Sequence, residues 1–343
     1  MGELSCALNF VEGNRVVRVI IKFLLVFALA LGGWALWWVS HSLPLTAPTL
    51  DLSVEPGMTP RGVAQAAVDS GVQTSADMLY WWFRLSGQAR VIKAGSYELE
   101  TGLTPYSLLA KLTRGEEALR SVTLVEGWTF KQFRAALLKE EHLKPDSKGL
   151  EDTVIMEKLG QPGRQPEGRF YPDTYTYAKG SSDLKLLLRA MHAMDKHLLV
   201  AWQARATDTP LKSADELLIL ASIVEKETGQ ASDRSMVASV FSNRLRLGML
   251  LQTDPTVIYG LGERFDGNLR RRDLLADTPW NTYTRAGLPP TPIAMPGKAS
   301  LMAAAQPANS RALYFVARGD GSSQFSDSLD AHNRAVNKFQ RGQ

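Results

Sequence analysis

LLILASIVEKETG, residues 217–229, runs eight apolar or small residues into Glu225, Lys226 and Glu227 and stops on a glycine. Ser213 with Glu216 three residues later is a capping-box pattern, so a helix is expected to begin near Ala214. Its end is expected near Thr228, with Gly229 in the C′ position. Leu217–Val224 is apolar nearly all round, which predicts a buried helix. Glu225 would share a face with Leu218, Ala221 and Ser222, and Glu227 with Leu220, Ile223 and Val224. Partial burial and the negative end of the helix dipole both disfavour a charged carboxylate there. At least one of the two glutamates should then stay protonated near neutral pH, as a general acid must. The rival reading is a frayed, solvated helix end carrying ordinary glutamates.

Most glycosidic hydrolysis uses two carboxylates flanking the scissile bond. Glu225 and Glu227 suit that pair poorly, because residues two apart on a helix point in different directions. Glu167 and Asp254, both in turn-rich segments, are the other candidates for a second carboxylate. A one-carboxylate route also exists. If a hydroxyl of the sugar being cleaved is the nucleophile, one glutamate can protonate the leaving oxygen and then take the hydroxyl's proton.

The surrounding segments supply candidate substrate contacts. PEGRFYPDTYTYAKG (166–180) mixes aromatics with turn residues, which suits an ordered loop or short strand beside a site, and it carries Glu167, Tyr171 and Tyr175. Gln252, Thr253 and Asp254 precede Pro255 in a segment expected to be extended or turned. They can hydrogen-bond sugar hydroxyl or acetamido groups, or Thr253 and Asp254 can merely cap a helix that Pro255 begins. Asn281 and Tyr283 alternate on a stretch read as extended, so they face one side, as a shared substrate wall or as a buried hydrogen-bonded pair. His332 and Asn333, near the start of the last helix, are read as structural, and Arg270–Arg272 as a solvated face.

The N-terminal region sets the compartment. Phe23–Val39 holds no charge and approaches the ~20 residues that cross a hydrocarbon core. Arg15, Arg18 and Lys22 precede it, and Trp34, Trp37 and Trp38 gather at its far end, so positive-inside logic places the N-terminus in the cytoplasm. Ala28-Leu29-Ala30 mimics a cleavage motif, but the apolar run continues past it, so an uncleaved signal anchor is expected. The 343-residue chain has one cysteine, Cys6, so neither an intramolecular disulfide nor a cysteine metal site can form. Its five histidines show no HExxH-type pairing, and no zinc-finger or RRM signature is present, so zinc catalysis and nucleic-acid binding are not expected. Tyr80, Trp81, Trp82 and Phe83 form an aromatic cluster that reads as core, with a sugar-stacking platform as the alternative. Strands and helices mix without regular βαβ alternation, which indicates an α+β fold.

Several long phrases together resemble the YceG-like family of membrane-bound lytic transglycosylases. They are PEGRFYPDTYTY (166–177), LASIVEKET (220–228), VASVFSNRLRLGMLLQTDPTVIYGLG (237–262), NTYTRAGLPPTPIAMPG (281–297) and YFVARGDGSSQFSDSLDAHNRAV (314–336). The resemblance extends to AGSYEL and GLTPYSLL nearer the N-terminus. It implies a cytoplasmic tail (1–18), a transmembrane anchor (19–40), a linker (41–49), a small LysM-like α/β domain (50–118) and a larger α+β catalytic domain (119–343) in the periplasm. It further implies endolytic cleavage of the β-1,4 bond between N-acetylmuramic acid and N-acetylglucosamine. In that reaction the muramic C6 hydroxyl attacks its own C1 and leaves a 1,6-anhydro end. The family's catalytic glutamate, taken as the first of EKET, falls on Glu225, with Glu227, Glu167, Tyr171, Gln252, Thr253, Asp254, Asn281 and Tyr283 as candidate substrate contacts. No cofactor or metal is implied. The implied partners are glycan strands, the inner membrane and peptidoglycan synthases. A non-catalytic glycan-binding scaffold and a muramidase giving reducing ends are the competing functions.

Overall fold

The structure is a computed structural model that describes the backbone of residues 3–342 and the side chains of residues 20–342. Cys6, Arg15, Arg18 and the rest of the tail's side chains lie outside the described residues. The chain divides into two compact units, Met1–Leu119 and Arg120–Gln343.

The first unit opens with helix α1 (Glu3–Ser40). Its portion Ile20–Ser40 has a mean hydropathy of 2.0 and presents its apolar side chains outward; Leu29 is 75% and Leu36 73% exposed. Such a surface has the length and character of a membrane span. Trp38, near the end of α1, packs against the core that follows. Strand β1 (Thr49–Val54) alternates exposed and buried residues, as a half-buried strand must. Helices α2 (Pro60–Asp69) and α3 (Ala76–Leu85) follow, then strand β2 (Gly95–Glu100) and helix α4 (Pro105–Arg114). The two strands pair antiparallel, with Leu52 opposite Tyr97.

Local chemistry sets these boundaries. Thr59 caps α2, its Oγ1 accepting from Gly62 N at 3.1 Å. Thr104 and Ser107 form a capping box on α4, and Gly115, at φ 74°, ends that helix in the left-handed conformation. Of the four clustered aromatics, Phe83 is fully buried, while Trp82 and Tyr80 pack partly buried against the core. Trp81 stays 51% exposed, so the cluster serves mainly as core.

Strand β3 (Leu119–Thr123) starts at the boundary, and the second unit continues with α5 (Phe130–Lys139), α6 (Asp152–Lys158), β4 (Thr174–Ala178), α7 (Asp183–Gln203) and α8 (Ala214–Glu227). Then come α9 (Arg234–Arg246), α10 (Asp254–Leu261), α11 (Arg271–Leu275), α12 (Lys298–Ala305), β5 (Tyr314–Ala317), β6 (Ser323–Ser326) and α13 (Leu329–Val336). Strand β3 pairs with β4, and β5 pairs antiparallel with β6. The fold is therefore mixed helix and strand, in separate ribbons rather than one sheet. Strand β6, in the polar phrase SQFS, carries too little hydrophobic alternation to be read from sequence.

Helix α8 is the axis of this unit. Every residue from Leu217 to Val224 is buried, against α7, α9, α10 and α12. A fully buried Leu or Ile contributes ~1.5–3 kcal/mol, so this stretch anchors the core. Ser222 ties the helix to a loop: its Oγ donates to Ile219 O and accepts from Ile293 N at 3.0 Å. The expected capping box forms by half. Ser213 Oγ accepts from Glu216 N, but Glu216 reaches back to Lys212 N at 2.6 Å instead of Ser213 N. The expected C′ glycine is not used as one. Thr228 leaves the helix in an extended conformation with its hydroxyl on Val224 O, so no left-handed residue is needed at Gly229.

Candidate active site

The last turn of α8 sends its two glutamates to opposite sides, as a 200° separation on a helix requires. Glu227 enters the wall of a cavity of about 450 Å³ together with Gln252, Asp254 and Tyr283. Leu251, Arg244, Tyr314, Phe315, Leu329, His332 and Asn333 complete that wall. Glu225 is not part of it. Instead Glu225 Oε2 accepts from Gly297 N at 3.0 Å, and the carboxyl lies beside Glu126.

The electrostatics shift Glu227 toward its neutral form. Burial pushes its carboxyl up from the usual range. The Thr253 hydroxyl, which donates to Glu227 Oε1, partly offsets this, and the nearby Asp254 charge adds to it. The upward shift expected of a helix-end carboxyl is thus seen at Glu227.

The opposing loop is held rigidly. Gln252 sits at φ 51°, the one non-glycine residue with positive φ among the described residues. That conformation costs on the order of 1 kcal/mol and marks a backbone constrained by its surroundings. The constraint is Arg244, 8% exposed, whose guanidinium donates to Leu250 O, Leu251 O and Leu313 O. Gln252 N donates to Thr282 O at 3.1 Å, and the hydroxyls of Thr256 and Thr282 lie 2.9 Å apart. Thr253 stands at the N-cap position of α10, yet its hydroxyl turns to Glu227 rather than capping the helix. The helix-capping reading of Thr253 is therefore not met by its side chain.

Tyr283 OH donates to Asp254 Oδ1 at 2.5 Å. Burial and the Asp254 charge push the Tyr283 phenol far up, so it keeps its proton and Asp254 acts as the acceptor. On the far wall the His332 ring stacks on Tyr314 with centroids 5.2 Å apart. Burial and the Arg244 charge lower the His332 pKa, and its buried Nδ1 has no hydrogen-bond partner among the described residues.

Three candidates lie elsewhere. Glu167, 7% exposed, accepts from Phe130 N and Tyr259 OH, each at 3.1 Å, and burial pushes its carboxyl up to about 7. Tyr171 stacks on His197 at 4.0 Å. Asn281 is fully buried; its Nδ2 donates to Asp273 O, Leu274 O and Ala276 O. Its Oδ1 accepts from Tyr283 N at 2.8 Å. Residues 281–285 form a turn, with Arg285 N on Asn281 O, so the extended stretch expected there is corrected. Asn281 is a structural hub and Tyr283 alone faces the cavity.

Arg244, Tyr314, His332 and Asn333 were not anticipated as site residues. Arg244 leaves a trace in the sequence: it is a cation at i+7 on the apolar stripe of Val237 and Phe241. Among the described residues no group of three His, Cys, Asp or Glu side chains is placed to hold a metal ion.

A sequence model of the YceG-like family matches residues 52–338. The chain is 30% identical over 331 residues to the endolytic murein transglycosylase of Bacillus subtilis (strain 168), covering 91% of each chain. It is 28% identical over 281 residues to the endolytic murein transglycosylase of Streptococcus pneumoniae (strain ATCC BAA-255 / R6). That match covers 71% of this chain and 50% of the pneumococcal protein, so the chain spans about half of that relative's length. A crystal structure of a yceG-like protein from Listeria monocytogenes superposes with a TM-score of 0.55 at 29% identity, covering 83% of this chain and 98% of that one.

Proposed function

The chain belongs to the YceG-like family, and from that premise we propose that it is a peptidoglycan lytic transglycosylase, a lyase that cuts within glycan strands. The names of its bacterial relatives support the substrate class. The observation that carries the chemistry is Glu227: a carboxyl that burial shifts toward its neutral form, in the wall of a cavity and oriented by Thr253.

Glu227 donates its proton to the oxygen leaving C1 of the N-acetylmuramic acid as the glycosidic bond breaks. The C6 hydroxyl of the same sugar bonds to C1, and its proton passes to the Glu227 carboxylate. The glutamate ends protonated, the released N-acetylglucosamine carries a free hydroxyl, and the muramic end is 1,6-anhydro. No water is consumed. Gln252, Asp254 and Tyr283 are positioned to bind sugar hydroxyl or acetamido groups around this step.

The acid was expected at Glu225, and we reassign that role to Glu227. Glu225 is turned to Gly297 N and Glu126 on the other side of α8, whereas the cavity wall contains Glu227. Glu167 and Tyr171 are likewise proposed as supports of the fold rather than substrate contacts. A muramidase giving reducing ends is the second reading, favoured by the presence of Asp254 in the same cavity. The Tyr283 hydroxyl already occupies an oxygen of Asp254, which weakens it as the base for a water.

Helix α1 serves in this reading as a single-pass inner-membrane anchor, N-terminus in the cytoplasm, with the chain after α1 on the periplasmic side. The strand–helix–helix–strand order of β1, α2, α3 and β2 supports a LysM-like assignment for the first unit. Cutting nascent strands would terminate their elongation beside peptidoglycan synthases. Digestion of uncross-linked strands with the detergent-solubilised full chain tests the proposal by mass. Internal cuts leaving ends lighter by one water support it; ordinary reducing ends would replace it with the muramidase. Binding without cleavage would leave a scaffold.

A further inference from the structure

A second pocket, of about 550 Å³, lies on the opposite face of α13 from the Glu227 cavity. His332 and Asn333 line the cavity, whereas Ala331, Arg334 and Ala335 line the pocket. Its cations are Arg311, Arg334 and Lys338, and its one carboxylate is Asp327. Among the described residues none of these three cations has a hydrogen bond or ion pair to a carboxylate. Three cations around one concavity against a single carboxylate leave a net positive potential that a bound anion would relieve. Met236, Phe325 and Phe339 add apolar surface to the lining.

The pocket and the cavity share their scaffold. Tyr314 and Phe315 on β5 line the cavity, and their partners across the ribbon, Ser326 and Phe325 on β6, line the pocket. The rim between them is the short segment from Asp327, in the pocket wall, to Leu329, in the cavity wall. A helix is ~10–12 Å across, and an extended peptide of three to five residues spans roughly 10–17 Å. A peptide of that length is long enough to cross the Asp327–Leu329 rim, two residues wide, between cavity and pocket.

Resting on the transglycosylase reading above, we propose that this pocket is a subsite for the carboxylate-bearing stem peptide of the glycan strand. Stem peptides combine small apolar side chains with free carboxylates, and the pocket pairs apolar lining residues with three cations against one carboxylate. The cavity then reads the sugar backbone, and the pocket reads whether the muramic acid still carries its peptide.

The test is binding by the full chain in detergent, carrying Glu227→Gln so that strands are not consumed. The probes are glycan strands with intact stem peptides and the same strands stripped of peptide by an amidase. Intact strands should bind about tenfold more tightly, a difference that shrinks with added salt. The double change Arg334→Glu and Lys338→Glu should remove that difference while both strand types still bind alike. Arg334→Lys, which keeps the charge, should retain most of it. Equal binding of both strand types, or an equal loss for both on charge reversal, would overturn the subsite. Failure of the transglycosylase reading is seen separately, as absence of 1,6-anhydro ends from the unmutated chain, and leaves this binding comparison intact.

Discussion

The Thr253 hydroxyl donates to Oε1 of Glu227, joining the last turn of α8 to the loop that precedes α10. This bond fixes one carboxyl oxygen, so the other is left to meet the cavity. It also favours the charged form, against a burial effect that favours the neutral one. The carboxyl is therefore held in one orientation while burial shifts it toward the protonated form.

Glu227→Gln is expected to cut the rate of anhydro-end formation by about 10²–10⁴-fold, the usual contribution of a general acid–base group. Glu225→Gln is expected to stay within about threefold of the unmutated rate, because the amide can still accept from Gly297 N. Mass spectrometry of digested strands, with melting curves to confirm folding, reads both. The opposite ranking would return the acid to Glu225.

Thr253→Val keeps the side-chain shape and removes the hydroxyl. Losing a bond to the charged form raises the Glu227 pKa further. The alkaline limb of the pH–rate profile should move to higher pH, and the maximal rate should fall about tenfold through lost positioning, the scale of a charge-assisted hydrogen bond. A fall in rate with an unmoved alkaline limb would separate Thr253 from the titration of Glu227.

The legible and illegible parts of this site differ in sequence range. Helix α8 was legible because its eight buried residues are contiguous and Ser213 marks its start. That the two glutamates diverge was legible from helix geometry alone. Which of them meets the cavity was not, since the opposite wall comes from β5 and α13. Arg244 and His332 act through partners about 70 and 18 residues away, Leu313 and Tyr314, which no local pattern announces. Asn281 and Tyr283 misled because alternation implies a shared face only in a strand, and the chain turns there.

Asn281→Ala tests the structural assignment of that residue. The change leaves Asp273 O, Leu274 O and Ala276 O without their shared donor, and Tyr283 N without its acceptor, in a fully buried place. A loss on the order of 3 kcal/mol of stability is expected, since unmade buried bonds cost ~1–3 kcal/mol each and the turn can partly relax. Denaturant unfolding of the full chain checks this. A variant of unchanged stability but weakened strand binding would place Asn281 at the substrate instead.

Glu167 should make stability depend on pH in a particular direction. Its carboxyl titrates at about 7 in the fold against 4.5 when exposed. Below 4.5 both states are protonated and the group contributes nothing to the pH dependence. Between 4.5 and 7 the folded state holds a proton that the unfolded state has lost, so stability falls as pH rises. Above 7 the full cost is felt, on the order of 3 kcal/mol from a shift of this size. Glu167→Gln keeps an acceptor for Phe130 N or Tyr259 OH and cannot ionise. The variant should match the unmutated chain near pH 4.5 and be the more stable of the two at pH 8. Thermal melts at the two pH values check it, and Glu167 sits outside the cavity wall, so cleavage at neutral pH should change little. A variant that melts lower at pH 8 would mean the ionised carboxylate is itself what ties α5 to α10.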